Sequence, residues 1–198
     1  MALATTRPDW VVGFEDETWW SRVARPAMHA WTDGAPLRLV EPTVARDDPE
    51  PKALACYGLL LRPFAARETL WLRFVEGRPL SVLTEQFLTW IGEQVAAVGA
   101  TTLVLVWDNA AWHVSRAVRA WLRAHNQQAH RDGGVCIIPC FLPTKSPWLN
   151  PIEPKWIHGK RRIVEPARLL TANEVEDRVC AALACPHADH LCIPQEVA

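Results

Sequence analysis

The 198-residue sequence is 49% hydrophobic and 22% charged, the size and composition of a single globular domain that can bury a substantial core. Its 21 Lys and Arg against 22 Asp and Glu leave a net charge of −1, so any nucleic-acid contact has to come from local basic patches rather than an overall basic field. No apolar run reaches the ~18 residues of a membrane span, and the first residues lack the apolar stretch of a secretory signal. The expectation is a cytoplasmic protein without a membrane partner, whose six cysteines remain thiols.

Taken in chain order, residues 11–14 form a short apolar run that reads as a buried strand delivering Glu15, Asp16 and Glu17 at its end. After the polar, Pro-rich residues 41–51, two β-rich runs at 54–61 and 69–75 flank an Arg62-Pro63 turn signal, which makes three antiparallel strands. From Leu80 the period becomes helical, with Leu83, Phe87, Leu88, Ile91, Val95 and Val98 on one face and Gly99 as the stop. Residues 101–107 are a continuous apolar run, expected to be a central strand buried on both faces and ending at Asp108-Asn109.

A second helix is predicted over residues 113–128, with Val114, Ala117, Val118, Trp121 and Leu122 inward and Arg116, Arg119 and Arg123 as a solvated face. A strand at 135–138 follows the Gly133-Gly134 turn, and the Pro-rich residues 139–151 read as loop. Pro151 suits the first turn of a helix carrying Glu153, Trp156 and Ile157. Thr171 with Glu174 is a capping-box signal for a last helix at 172–184. One α/β domain with a mixed sheet accounts for this order: residues 1–184 form the domain and 185–198 a loose C-terminal tail.

Asp16, Asp108 and Glu153 each fall at a predicted strand end or helix start, where α/β sheets gather functional side chains in a crevice. Each acid alone reads as a solvated loop residue. Gathered together they would repel one another, and oxygen-only ligation would then call for Mg²⁺ or Mn²⁺. Two such ions stabilise the attacking and leaving oxygens of an in-line phosphoryl displacement.

The context of the acids is specific. Trp107-Asp108-Asn109-Ala110-Ala111-Trp112-His113 and the segment Phe141-Leu142-Pro143-Thr144-Lys145-Ser146-Pro147-Trp148-Leu149-Asn150-Pro151-Ile152-Glu153 resemble the catalytic domain of DDE transposases, the mariner-like group found in bacterial insertion sequences. In that family the second Asp opens a DNxxxH-type segment and the Glu closes an LPPYSPxLNPIE-type one. Asp16, within Phe14-Glu15-Asp16-Glu17, matches the family's first Asp, and the resemblance runs over residues 11–164.

The resemblance implies an RNase H-like α/β fold, with a mixed central sheet that starts with three antiparallel strands and is flanked by helices. It implies that Asp16, Asp108 and Glu153 are catalytic and hold two divalent cations, Asp16 touching both. Water would nick transposon ends, and the freed 3′-OH would attack target DNA. Glu15 and Glu17 are rivals for the first position, but alternation along a strand points them away from the side of Asp16. Asn109, His113 and Asn150 enter as supporting residues of the site, and His113 orients a site group or contacts DNA by the resemblance, or else makes a structural hydrogen bond at a helix start.

Thr144-Lys145 replaces the family's Pro-Tyr, and Lys145 either reaches a DNA phosphate or is a solvated loop lysine. Lys155, His158, Lys160, Arg161 and Arg162 follow Glu153 directly and read as a phosphate-tracking patch. Cys180, Cys185, His187, His190 and Cys192 match no zinc spacing. Helix-turn-helix modules normally precede the catalytic domain in this family, whereas the first catalytic strand is expected here within about a dozen residues of Met1. The expectation is one product of a split reading frame or a truncated remnant. The expected partners are therefore transposon-end and target DNA, a second copy in a homodimer, and a separate helix-turn-helix polypeptide from an upstream frame. The expected location is the bacterial cytoplasm, with the nucleoid when DNA-bound. An RNase H-like nuclease without strand transfer, or a catalytically silent DNA-binding remnant, are the alternatives.

Overall fold

The computed structural model describes residues 7–23, 43–63, 67–163, 165 and 168–194. Glu41 and Pro42 of the expected polar stretch, and 195–198 of the expected tail, lie outside them. Five strands, β1 (Trp10–Ser21), β2 (Ala53–Pro63), β3 (Thr69–Val75), β4 (Thr102–Trp107) and β5 (Cys136–Phe141), form one sheet in the order β3-β2-β1-β4-β5. β1, β2 and β3 are antiparallel neighbours, whereas β4 lies parallel to both β1 and β5. Helices α1 (Ser81–Ala97), α2 (Arg116–Asp132), α3 (Glu153–Arg162) and α4 (Ala172–Leu183), with a short 3-10 turn at Pro147–Leu149, complete the described elements. This is the expected mixed sheet, and it is RNase H-like. Among the described residues no helix is long and apolar enough to cross a membrane.

Alternation along the strands divides the core in two. Val11, Leu59, Leu61, Leu103, Leu105 and Ile137 pack under α1 and α2, while Phe14, Trp20, Leu60, Leu72 and Phe74 pack under α3 and α4. β1 is longer than the apolar run 11–14 suggested, because antiparallel pairing with β2 carries it through the acidic residues to Ser21↔Ala53. Its pairing with β4 ends at Phe14↔Val106, so the two strands part just before Asp16. The far end of β1 is fixed by the buried Arg22, which donates to Leu170 O at 2.7 Å and meets Asp48 at 3.0 Å and Glu50 at 2.8 Å.

Other departures from expectation have local causes. Pro139 continues β5 instead of opening a loop, which is tolerated because β5 is an edge strand and Pro cannot donate to a ladder. α2 begins at Arg116, because the Ser115 side chain accepts from Val118 N; His113 therefore precedes the helix, and Ala117 is exposed. Val104 and Val106 are only partly buried, so β4 is covered fully on one face alone. Val98 is exposed rather than inward. The capping box of Thr171 and Glu174 forms as expected. The segment after Ala184 is not loose as far as Pro194: Leu191 is buried and donates its N–H to Phe74 O at 2.7 Å.

The contact that seats α3 depends on two glycines. A Cβ at Gly58 would collide with the Trp156 ring, and one at Gly159 would come within 2.7 Å of Trp20. The two rings meet edge to face with centroids 5.9 Å apart. Gly58→Val should therefore cost about 1–3 kcal/mol, the usual range for overpacking, and chemical denaturation would measure the loss. Stability equal to the parent would show that α3 is not seated through this contact.

Candidate active site

The parting of β1 and β4 leaves a crevice at the sheet end, and three segments feed it. Asp16 lies on the same face of β1 as Phe14, opposite Gly58 in β2. Asp108 directly follows β4, and Glu153 is the first residue of α3. All three line one cavity of about 350 Å³, together with Asn109, Lys145 and Asn150. Ile152 and Trp156, both buried, anchor the start of α3.

Hydrogen bonds hold each wall. Trp156 Nε1 donates to Asp16 Oδ2 at 2.9 Å, fixing one carboxylate oxygen. Asn150, itself buried, donates to Glu15 O at 2.9 Å and so ties the loop before α3 to β1. Asn109 Nδ2 donates to Leu142 O at 2.7 Å, and Leu142 N to Trp107 O at 2.8 Å, joining the segments after β4 and β5. Lys145 is exposed, with a left-handed φ of 58° at the cavity rim.

Burial, then the charge of Glu153, pushes Asp16 up to about 7, against the Trp156 hydrogen bond that favours its ionised form. Asp108 is held below the usual carboxylate range, chiefly by its hydrogen bond with His113. The donors facing the cavity are carboxylate and amide oxygens, a set suited to Mg²⁺ or Mn²⁺. Asp16 also faces the charge of Glu153 and Asp108, and among the described residues it has no ion pair to a cation; a divalent ion would supply that charge.

Behind the crevice, on the α1–α2 face, lies a second cluster that the sequence did not reveal. Glu15, Glu17 and His113 bring their ligand-type atoms within 4.8 Å of one another. Glu15 and Glu17 thus do point away from Asp16's side. His113 has a fully buried side chain and lies against Asp108, Glu17 and Glu15 at 2.9, 3.1 and 3.2 Å. Burial opposes its charge, but the Glu15 charge and these carboxylate contacts raise its pKa well above the ordinary value.

The expected basic patch is split by the turn of α3. Lys155, His158 and Arg162 face one open groove of about 720 Å³, joined by Arg67, which lies far from them in the sequence. Lys160 lies instead over the Trp20 ring at 5.9 Å, and Arg161 is exposed outside the groove lining. Of these basic residues Lys145 alone lines the crevice. Lys155 is paired with Glu68 at 3.4 Å. In the tail His187 and His190 both contact Glu176, at 3.4 and 2.8 Å, while Cys180 and Cys185 are buried nearby.

A mixed sheet in this order, with acids entering from β1, the end of β4 and the start of α3, defines an RNase H-like domain. The DDE superfamily endonuclease domain matches residues 68–176, and the chain belongs to that family. Its fold is similar to that in the Mos1 strand transfer complex (TM-score 0.59, 15% identity, 91% of this chain and 48% of that one). It is also similar to the Mos1 transposase paired-end complex with the left transposon end (0.58, 16%, 91% and 49%). A third likeness is the mariner Mos1 paired-end complex with Mg (0.57, 16%, 89% and 48%). The chain spans about half the length of these structures. No curated protein matches it.

The raised pKa of Asp16 gives a pH test. The folded state holds that proton more tightly than the unfolded chain, so the associated stability is complete below about pH 4 and is lost as pH rises through about 7. Mg²⁺, which favours the ionised carboxylate, should raise the melting temperature more at pH 8 than at pH 5. Equal shifts at the two pH values would show that Asp16 does not meet the ion.

Proposed function

We propose that this chain is the catalytic domain of a DNA transposase, with Asp16, Asp108 and Glu153 as its catalytic and metal-holding residues. The observation that carries the reading is the meeting of these three carboxylates, from three separate segments, around one crevice. They would hold two divalent cations, Mg²⁺ or Mn²⁺, with Asp16 shared between them. Bound there, such ions supply Lewis-acid stabilisation of the attacking and leaving oxygens of a phosphodiester and lower the pKa of water.

The chain's own residues position and exclude. Trp156 fixes the Asp16 oxygen that faces α3, so the carboxylate presents its other oxygen to the crevice. Asn150 and Asn109 hold the two loops whose separation sets the crevice width, and His113 supports Asp108 from behind. Lys145 at the rim is placed to meet a scissile phosphate. Cleavage leaves a 3′-OH, which the same carboxylates orient for attack on target DNA.

Arg67, Lys155, His158 and Arg162 give the DNA backbone a track running from the start of α3 along its groove, while Lys160 and Arg161 add charge beside it. These groups address phosphates and carry no base code. Recognition of transposon ends is assigned to helix-turn-helix modules outside residues 1–184, on a separate polypeptide, and the pairing of two ends to a homodimer. The domain acts inside the cell, where its DNA is.

Asp108→Asn removes a charge and almost no volume, and should abolish Mg²⁺-dependent nicking of duplex DNA with the far-UV spectrum unchanged; activity near the parent level would refute the assignment. For the groove, Arg67, Lys155 and Arg162 changed together to Ala should flatten the log-log salt dependence of DNA binding by about 0.9 for each phosphate the variant no longer neutralises. Identical slopes would show the groove to be merely solvated.

A further inference from the structure

Asp108 is the least sheltered of the proposed ligands. It lies past the end of β4, its side chain is 55% exposed, and the residues between it and α2 form turns rather than regular structure. Its carboxylate is nevertheless held in one orientation. Ala110 N donates to Oδ1 at 2.8 Å and His113 Nδ1 meets the same oxygen at 2.9 Å, so both contacts leave Oδ2 for the crevice.

The His113 ring is fixed in its turn. It stacks on Trp107 with centroids 4.5 Å apart and an 18° tilt, and Trp112 meets it edge-on at 6.0 Å. On the far side Nε2 lies 3.1 Å from Glu17 Oε1, which also accepts the Trp112 indole N–H at 2.6 Å. Glu15 Oε2 lies 3.2 Å from the same Nε2, and its charge is its main effect on the ring. A carboxyl group faces each ring nitrogen, an arrangement that favours a proton on both.

We propose that Glu17 is a positioning residue of the active site, acting through His113 to fix the Asp108 carboxylate in its metal-holding orientation. The chain Glu17–His113–Asp108 passes from the α1–α2 face of the sheet, around the end of β4, to the crevice on the other face. It has the form of a carboxylate–imidazole pair placed behind a metal ligand, where such partners orient the ligand and tune it. The inference rests on the reading of Asp108 as a metal ligand.

The test measures Mn²⁺ affinity by electron paramagnetic resonance on the full 198-residue chain. Glu17→Gln, which keeps volume and removes the charge, should weaken binding about ten- to a hundredfold. His113→Asn places an amide nitrogen near Nδ1 and should retain more affinity than His113→Gln, a difference that space-filling alone would not produce. In the parent, the hydrogen-bonded imidazole N–H proton resonance should move on addition of Mg²⁺, and Asp108→Asn should abolish that response.

Circular dichroism checks folding, and the His113 pair carries the test if Glu17→Gln does not fold. The relay is overturned if Asp108→Asn loses Mn²⁺ while the Glu17 and His113 variants bind within twofold of the parent. If Asp108→Asn binds Mn²⁺ as the parent does, it is the assignment of Asp108 that fails, and the relay falls with it.

Discussion

Five carboxylates, Glu15, Asp16, Glu17, Asp108 and Glu153, crowd one end of the sheet, and the way their charge is balanced organises everything around them. Alternation along β1 sorts three of them onto opposite faces. On the α1–α2 face Glu15 and Glu17 share the buried His113 ring, and their atoms draw together. On the α3 face the buried Asp16 faces Glu153 and Asp108, among the described residues with no cation paired to it, and its pKa rises. Two faces of one strand thus carry charge of the same sign under opposite conditions: one meets a partner supplied by the fold, and the other is left for a ligand. Asp108 belongs to both, since Oδ1 is tied to His113 and Oδ2 is free to face the crevice.

The packing serves that arrangement. α3 can bring Glu153 to Asp16 because Gly58 and Gly159 let the Trp156 and Trp20 rings lie flush on β1 and β2. Trp156 then closes the indole hydrogen bond to Asp16 from within the core. One residue is therefore both core and site, and a change in the apolar layer beneath α3 reaches the carboxylate directly. Asn150 does the same from the loop side through a backbone carbonyl of β1.

Much of this was legible in the sequence, and the rest failed for definite reasons. Period-2 alternation placed Glu15 and Glu17 opposite Asp16, and the long motif closing at Glu153 marked the crevice. The length of β1 was hidden because Glu15-Asp16-Glu17 looks like a strand end, whereas β2 supplies a partner for every residue through Ser21. The role of Trp156 was readable in principle, since it lies three residues after Glu153 on the same helical face. The link from Glu17 to His113 was not, because it joins residues 96 apart through tertiary packing. The basic run after Glu153 looked like one patch in linear order, but a helix turns by about 100° per residue, and Lys160 was carried round to Trp20.

The central claim is that the charge left unbalanced on the α3 face is a divalent-metal site, while the Glu15–Glu17 pair already has a partner of its own in the His113 ring. Anomalous difference density from crystals soaked in Mn²⁺ locates the ion without reference to activity. The account predicts density in the crevice between Asp16, Asp108 and Glu153 and none beside His113. Density between Glu15, Glu17 and His113 with an empty crevice would contradict it.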